Sequence, residues 1–405
     1  MSKEKNKRKN KAKNKKRSAA VRTQKNIDSK RMTNIDLGGL TVQFQRTCRV
    51  PEGRHNSLPA GLGAFPIYGV HDFRSGTPKK WKKSDYFMPM YKQEAMWINF
   101  PQRYDHQVSN PYALVVAAGS INAVTGEQIK IDKGNLEATL KKHQNYLVVP
   151  PQPWVDGWKD ADTGRVYQFV AAELGSGQTV EGQITGKEKI GGIQLIVYKP
   201  KRGLDLKLKQ RPQEQMSVAQ PFFGASEVGD IGHITGCFGD FVEEDICCLD
   251  EVDCCEEFGF VDEVDPSPRS YAPREPVMRS PTQLNYLSTG PARSKSARGD
   301  IMVGARAVRS MGLGRGGEIT QKIYPDTYGH DVWSRVPAAK AMVHLVSAED
   351  FKQITGYAPP PTPVTHEQYQ RLGIPWFDMN DKKLGDTKGS DVFGKLNGVT
   401  DGRAD

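Results

Sequence analysis

The sequence has no uninterrupted apolar run long enough for a membrane-spanning helix or for the apolar region of a secretory signal. It also lacks an evenly spaced set of cysteines, because five of its six cysteines lie between Cys237 and Cys255. A disulfide framework of the secreted type is therefore not predicted. We expect a protein of a reducing compartment, with the cytoplasm as the first choice and the nucleus as the alternative in a eukaryote.

The sequence motifs of common hydrolases are missing as well. The chain contains neither G-x-S-x-G nor H-E-x-x-H, and its eight histidines form no pattern with a nucleophile and an acid. His344, in AMVHLV, is interpreted as a histidine at the edge of the core. We predict no catalytic residue, no metal ligand and no cofactor, and a non-enzymatic protein is favoured over an enzyme.

Positive charge is concentrated at one end of the chain. Residues 1–32 contain 14 Lys or Arg but only two acidic residues, whereas the net charge of the whole chain is +10, so the remainder is near neutral. We predict a disordered basic arm over 1–35 that contacts phosphates of a nucleic acid or a ribosome, or else serves only as a solubilising or import tail. It has no aromatic residue on which a base could stack. The candidate phosphate contacts are Lys7, Arg8, Lys9, Lys15, Lys16 and Arg17.

Short β-strands are predicted over 36–204 and again over 300–380. Runs such as LTVQFQRTCRV, EAMWINF, NYLVVP, QTVEGQITG and GGIQLIVYKP are rich in Val, Ile, Tyr and Phe and end at Gly, Asn or Pro. We expect a mainly β, sandwich-like module built from both segments, with a few short helices. Helices are predicted at GNLEATLKKHQ with Asn135 as N-cap, after Ser347, and after Thr365. Residues 381–405 are predicted to be a disordered tail, because they look too polar to pack.

A linker is predicted between the two segments, over 205–299, because this stretch is rich in Pro, Ser and Arg and has no periodicity. It contains FVEEDICCLDEVDCCEEFGFVDEVD, with four cysteines among eleven acidic residues. The CC-x5-CC spacing does not suit zinc, and the carboxylates disfavour reactive thiolates, so neither role is predicted for Cys247, Cys248, Cys254 and Cys255. An acidic amphipathic segment that folds on a protein partner and a plain solvated linker both remain open.

Two further motifs have a functional and a structural interpretation. QPWVDGWKDADTGR places Trp154 and Trp158 on either side of Asp156, which could stack and hold a sugar, although such aromatics often close the end of a β-sandwich core. GLGRGG over 312–317 could cradle a phosphate, but a hairpin turn is favoured because the residues that follow are typical of a strand.

The motifs PMYKQEAMWINF, QPWVDG, QITGKEKIGGIQLIVY and GIPWFD resemble those of a widely distributed family of uncharacterised proteins. The resemblance covers about 40–200 and 300–380 and implies that the two segments form one module with a variable insertion. It implies no activity and no site residue. The sequence therefore favours a structural or binding protein with a protein partner; a carbohydrate-binding protein or glycan-acting enzyme and a nucleic-acid-associated protein are the alternatives.

Overall fold

Alternating apolar and polar residues form strands through most of the chain, as in the run Leu40–Thr47, where Leu40, Val42 and Phe44 are buried and the residues between them are partly exposed. The computed structural model describes residues 29–101, 110–204, 206, 217–219, 308–378 and 385–400. The predicted disorder of the arm lies outside the described residues for 1–28 and is wrong for 29–35, because Met32 pairs with Ile67 and β1 begins at Asn34. Most of the predicted linker over 205–299 also lies outside the described residues, but residues 217–219 form a strand.

The described chain contains 21 strands and three α-helices. The strands of the first segment are β1 (Asn34–Leu37), β2 (Leu40–Thr47), β3 (His55–Asn56), β4 (Leu58–Pro59), β5 (Gly61–Ala64), β6 (Tyr68–Gly69), β7 (Tyr86–Met90), β8 (Ala95–Asn99), β9 (Tyr112–Ala118), β10 (Ile121–Asn122), β11 (Lys130–Asp132), β12 (Asn135–Glu137), β13 (Leu147–Val149), β14 (Trp154–Val155), β15 (Gly157–Lys159), β16 (Val166–Glu173) and β17 (Ile193–Tyr198). The later strands are β18 (Ser217–Ala219), β19 (Ser310–Ile319), β20 (Ala339–Ser347) and β21 (Trp376–Asp378). The helices are α1 (Val180–Thr185), α2 (Ala348–Thr355) and α3 (His366–Arg371).

One large sheet joins the two sequence segments. Its main path runs β1-β2-β8-β16-β19-β20-β17-β9-β10, so β19 and β20 of the second segment lie between β16 and β17 of the first. Most neighbours are antiparallel, and the pairs β3–β19 and β7–β20 are parallel. The predictions of a mainly β fold and of one module built from both segments are therefore confirmed.

The main core is enclosed by one face of this sheet. Val116 of β9, Leu195 of β17 and Ala341 of β20 are paired in register, and all three point into the same buried cluster. Phe44 of β2, from the other end of the path, joins that cluster as well. The sheet therefore curves around a single core in the manner of a sandwich, and burial of these apolar side chains provides most of the stabilisation.

Smaller apolar clusters cover the opposite face of the sheet. Tyr146, Tyr198 and Trp333 pack outside β9 and β17, and Phe87 and Phe351 pack where α2 covers β7 and β20. Strands in the middle of the sheet are consequently buried on both faces, which is why they contain long apolar runs instead of strict alternation.

Two predicted helices are confirmed at their N-caps. The hydroxyl of Ser347 accepts a hydrogen bond from the backbone N–H of Asp350 at 3.1 Å. The hydroxyl of Thr365 accepts one from the backbone N–H of Gln368 at 3.2 Å, and the Gln368 side chain accepts from the Thr365 N–H, which completes a capping box. These helices could be predicted because the capping residues lie next to the turns that they stabilise.

Two other local predictions are wrong. The stretch beginning at Asn135 is a strand, β12, that forms a hairpin with β11, because Lys133 and Gly134 both have positive φ as a tight hairpin turn requires. The stretch QTVEGQITG contains helix α1, because the Thr179 hydroxyl caps the Gly182 N–H at 3.0 Å.

The GLGRGG motif is neither a hairpin turn nor a phosphate cradle, since it lies within the long strand β19. A Cβ on Gly314 would lie 2.3 Å from Val399 Cγ2 and 2.5 Å from the carbonyl oxygen of Gln178. Neighbouring atoms therefore approach the backbone of β19 closely at Gly314, and glycine leaves room for them because it has no side chain.

Residues 385–400 are packed against the sheet, so the prediction of a disordered tail over 381–405 is wrong for this part. Phe393 and Val399 are completely buried, in the main core and in a separate cluster respectively. The segment was interpreted as too polar because its buried residues are few and widely spaced, and many of its remaining contacts are made by the main chain.

Candidate functional site

Trp154 and Trp158 are core residues, which contradicts the prediction of a sugar-stacking loop. Trp154 is 2% exposed and packs edge-on against Trp97 with ring centroids 6.0 Å apart. Trp158 is 0% exposed, packs edge-on against Phe169 at 5.1 Å, and donates its indole N–H to the carbonyl of Gly314 at 3.2 Å. No face of either ring is open to a sugar, so the structural interpretation of this motif is the correct one.

Asp156, between these tryptophans, is a buried carboxyl that is 2% exposed. It accepts hydrogen bonds from the side chains of Trp154 and Gln321, and its own backbone N–H donates to Gln321 Oε1 at 2.9 Å. Burial raises the pKa of Asp156 to about 7, against the opposing effect of these hydrogen bonds. Asp156, between β14 and β15, is therefore favoured as a neutral acid and has no access to a ligand.

The segment 385–400 packs against β15 and β19, and other parts of the fold hold its main chain. Arg315 Nη1 donates to the carbonyl of Leu396 at 2.6 Å, and an Arg49 guanidinium nitrogen donates to that of Val399. Three glutamine side-chain amides also donate to carbonyls of the segment, at 3.0 to 3.2 Å. Gln183 donates to the carbonyl of Asn397, and both Gln93 and Gln178 donate to that of Thr400. We call the six side chains Arg49, Gln93, Lys159, Gln178, Gln183 and Arg315 the docking surface.

Three side chains of the segment fit distinct positions on the fold. Val399 is buried against Ala95, Val170 and Ala172, on the face of the sheet opposite the main core. The ring of Phe393 packs against Trp158 with centroids 5.3 Å apart. The third side chain, that of Asp386, contacts the ammonium group of Lys159. The apolar contacts select side-chain shape, whereas the bonds to main-chain carbonyls accept any sequence.

Asp386, at the beginning of the segment, pairs with a buried lysine. Its Oδ2 lies 2.6 Å from Lys159 Nζ, and the Lys159 side chain is only 1% exposed. Burial lowers the pKa of Lys159, and the hydrogen bond and charge of Asp386 oppose this effect. Lys159 Nζ also donates to the carbonyl of Gly164 at 2.6 Å. A carboxylate at this position therefore favours the charged form of Lys159.

Cys48 and His366 form the closest arrangement to a thiol–imidazole pair among the described residues, with Sγ and Nδ1 3.9 Å apart. Arg54 donates to the other ring nitrogen, Nε2, at 2.9 Å. Nε2 must then be the acceptor and Nδ1 must bear the proton, so the ring cannot take a proton from the thiol. Burial, with the charge of Glu367, raises the pKa of Cys48 to about 12. This pair is not set up as a nucleophile.

His344 is buried at the edge of the core, as predicted. Its Nε2 lies 3.0 Å from Asp85 Oδ2, and Trp81 stacks on its ring with centroids 4.0 Å apart and planes within 3°. Burial lowers the pKa of His344, while Asp85 opposes that effect. Within the described ranges no hydroxyl or thiol is hydrogen-bonded to this imidazole, so the pair lacks the nucleophile that an acyl-transfer triad requires.

The remaining predicted sites cannot be placed. The arm residues Lys7, Arg8, Lys9, Lys15, Lys16 and Arg17 and the cysteines 247, 248, 254 and 255 lie outside the described residues. In the part of the chain that the structure describes, no group of three or more His, Cys, Asp or Glu side chains could hold a metal ion. In the same part, no helix is long and apolar enough to cross a bilayer.

Comparisons of the chain with known protein families, with curated proteins and with solved structures gave no match. The docking surface and the segment bound to it are therefore the features from which a function is argued. Sequence reasoning missed both, because the surface collects side chains from five separate places in the chain and the segment has no regular apolar period.

Proposed function

We propose that this chain is a non-enzymatic interaction protein that binds an extended polypeptide segment at the docking surface. The observation that carries the proposal is that five side chains of the fold donate hydrogen bonds to four main-chain carbonyls of residues 396–400. Donation to carbonyls gives affinity for any extended chain, and the positions of Phe393 and Val399 add selectivity. In the chain itself the site is filled by residues 385–400.

The proposal is tested on the full-length protein by weakening the intramolecular segment. Val399→Asp places a carboxylate in an apolar site against Ala95, Val170 and Ala172, which strongly disfavours docking of the chain's own segment. A fluorescent peptide of sequence 385–400 should then bind the variant at least about tenfold more tightly than the wild type, since a free-energy change of ~1.4 kcal/mol gives that factor. Fluorescence anisotropy measures the affinity.

Thr400→Asp is the matched control, because Thr400 is exposed next to Val399 and the change adds the same charge. This variant should bind the peptide no better than the wild type. A peptide carrying the Val399→Asp change should not bind either protein. If the folded Val399→Asp variant, checked by circular dichroism, fails to bind the wild-type peptide, the docking surface is only an intramolecular packing site and the proposal fails.

A second proposal concerns polyanions. It rests on the composition of residues 1–32, which contain 14 basic residues and two acidic residues. The arm would add salt-sensitive affinity for a nucleic acid or a ribosome in the cytoplasm, because each neutralised phosphate releases counterions. Deleting residues 1–32 should abolish binding to a generic RNA at low salt and leave peptide binding at the docking surface unchanged. Equal RNA binding by the deleted and intact proteins would refute it.

A further inference from the structure

The docking surface and its occupant belong to the same chain, so every copy of the protein has both halves of the contact. Asp386, Phe393 and Val399 are spaced seven and six residues apart, and each meets a partner of matching chemistry on the docking surface or beside it. A foreign peptide would have to reproduce the carboxylate, the aromatic ring and the aliphatic side chain at the same spacing. Another copy of the chain does so without any further requirement.

Lys159 favours a carboxylate at this position. With the segment in place, Nζ contacts Asp386 Oδ2 and main-chain carbonyls and the side chain is 1% exposed. Removing the segment would take away the carboxylate in contact with Nζ and leave the ammonium with the carbonyls of Gly164 and Gln321 and the nearby charge of Asp160. The surface therefore favours being filled by an Asp-containing segment of this type.

The way in which the segment is attached allows exchange between copies. It contributes no strand to the large sheet and pairs with it only through two isolated parallel bridges, Asp160 with Ser390 and Arg315 with Gly398. Its other contacts include a hydrogen bond from the Thr387 N–H to the Ile323 carbonyl at 2.8 Å and the burial of Phe393 in the main core. Release of the segment therefore breaks no strand ladder, and an identical segment from a second copy would restore each of these contacts.

We infer that the docking surface accepts the 385–400 segment of a second copy of this chain, which gives a segment-exchanged dimer. This inference rests on the proposed function, because it requires the surface to bind the segment when the segment is supplied from outside. It adds the identity of the partner: a segment with Asp, Phe and Val at positions equivalent to 386, 393 and 399.

Two complementary full-length variants test the inference. Lys159→Met disables the surface and keeps the segment, because Asp386 would lose its cationic partner. Val399→Asp disables the segment and keeps the surface. Each variant alone should be a monomer of 45.0 kDa. The equimolar mixture should contain a 1:1 complex of twice that mass, detected by sedimentation velocity, because only one surface and one segment are intact.

The double variant Gln178→Ala/Gln183→Ala serves as a second surface-disabled variant if Lys159→Met does not fold, since both side chains bond the main chain of the segment from outside the core. A complex that still forms when both partners carry Val399→Asp would place the interface elsewhere and overturn the inference. A mixture that stays monomeric, while the 385–400 peptide binds the Val399→Asp variant, would also overturn it and leave the proposed function standing. Failure of the peptide to bind the Val399→Asp variant would refute both the inference and the proposed function.

Discussion

Raising the pH from 4 to 9 should destabilise this protein through Asp156 in a way that a single substitution can isolate. The folded protein holds the Asp156 proton up to a pKa of about 7, against 3.8 for an ordinary Asp side chain. Because the folded state binds the proton more tightly than the unfolded chain, the stabilising contribution is complete below pH 3.8. It is lost as the pH rises towards 7 and stays constant at higher pH.

The magnitude follows from the difference of about three pKa units, at ~1.4 kcal/mol per unit, which gives about 4 kcal/mol in the free energy of unfolding. Urea unfolding of the wild type and of Asp156→Asn, at each pH between 4 and 9, measures it. The wild-type value minus the Asp156→Asn value should fall by up to this amount between pH 4 and 7. Asp162→Asn is the matched control, since Asp162 is exposed in the turn between β15 and β16.

A difference between wild type and Asp156→Asn that does not change with pH would refute the reasoning. It would mean that the hydrogen bonds from Trp154 and Gln321 fully offset the desolvation of the carboxylate. A constant offset alone is expected from the amide, because two donors face Asp156 and an Asn side chain has only one acceptor oxygen. The prediction is therefore tested by how the difference in unfolding free energy changes with pH, and not by its constant part.

Three further predictions concern individual residues. Trp154→Ala should lower the free energy of unfolding by about 3–5 kcal/mol in urea unfolding, because it empties a buried site; a loss below ~1 kcal/mol would indicate a surface ring. Cys48 should react with iodoacetamide at pH 8 only after unfolding, as mapped by mass spectrometry, because burial raises its pKa to about 12; rapid native alkylation would contradict this. Thr365→Ala should cost ~1 kcal/mol by loss of the α3 N-cap, and Thr365→Ser should recover most of it.

Local features of the sequence were sufficient to predict much of the fold. Alternating or continuous runs of Val, Ile, Tyr and Phe marked strands such as β2 and β17, and these runs lie where the structure has strands. Ser347 and Thr365 identified two helix starts, since a capping side chain bonds to a backbone N–H only three residues away. Interactions of this range can be inferred without knowledge of the rest of the chain.

Predictions failed where a distant contact decided the outcome. Trp154 and Trp158 have the spacing of a ligand loop, but Trp97 and Phe393, far away in the sequence, complete the packing that buries them. Residues 385–400 look too polar to fold, yet Arg49 and Arg315 satisfy their carbonyls. Neither the arginines nor the segment contains a local signal for the other.

By itself, the sequence determined that the protein is mainly β and where two helices begin. These properties depend on side-chain periodicity and on hydrogen bonds within a few residues. Only the tertiary structure decided that the tryptophan motif is core, that Asp156 and Lys159 are buried with particular partners, and that 385–400 occupies a docking surface. Those outcomes depend on groups that are far apart in the chain and that meet only when the large sheet has formed.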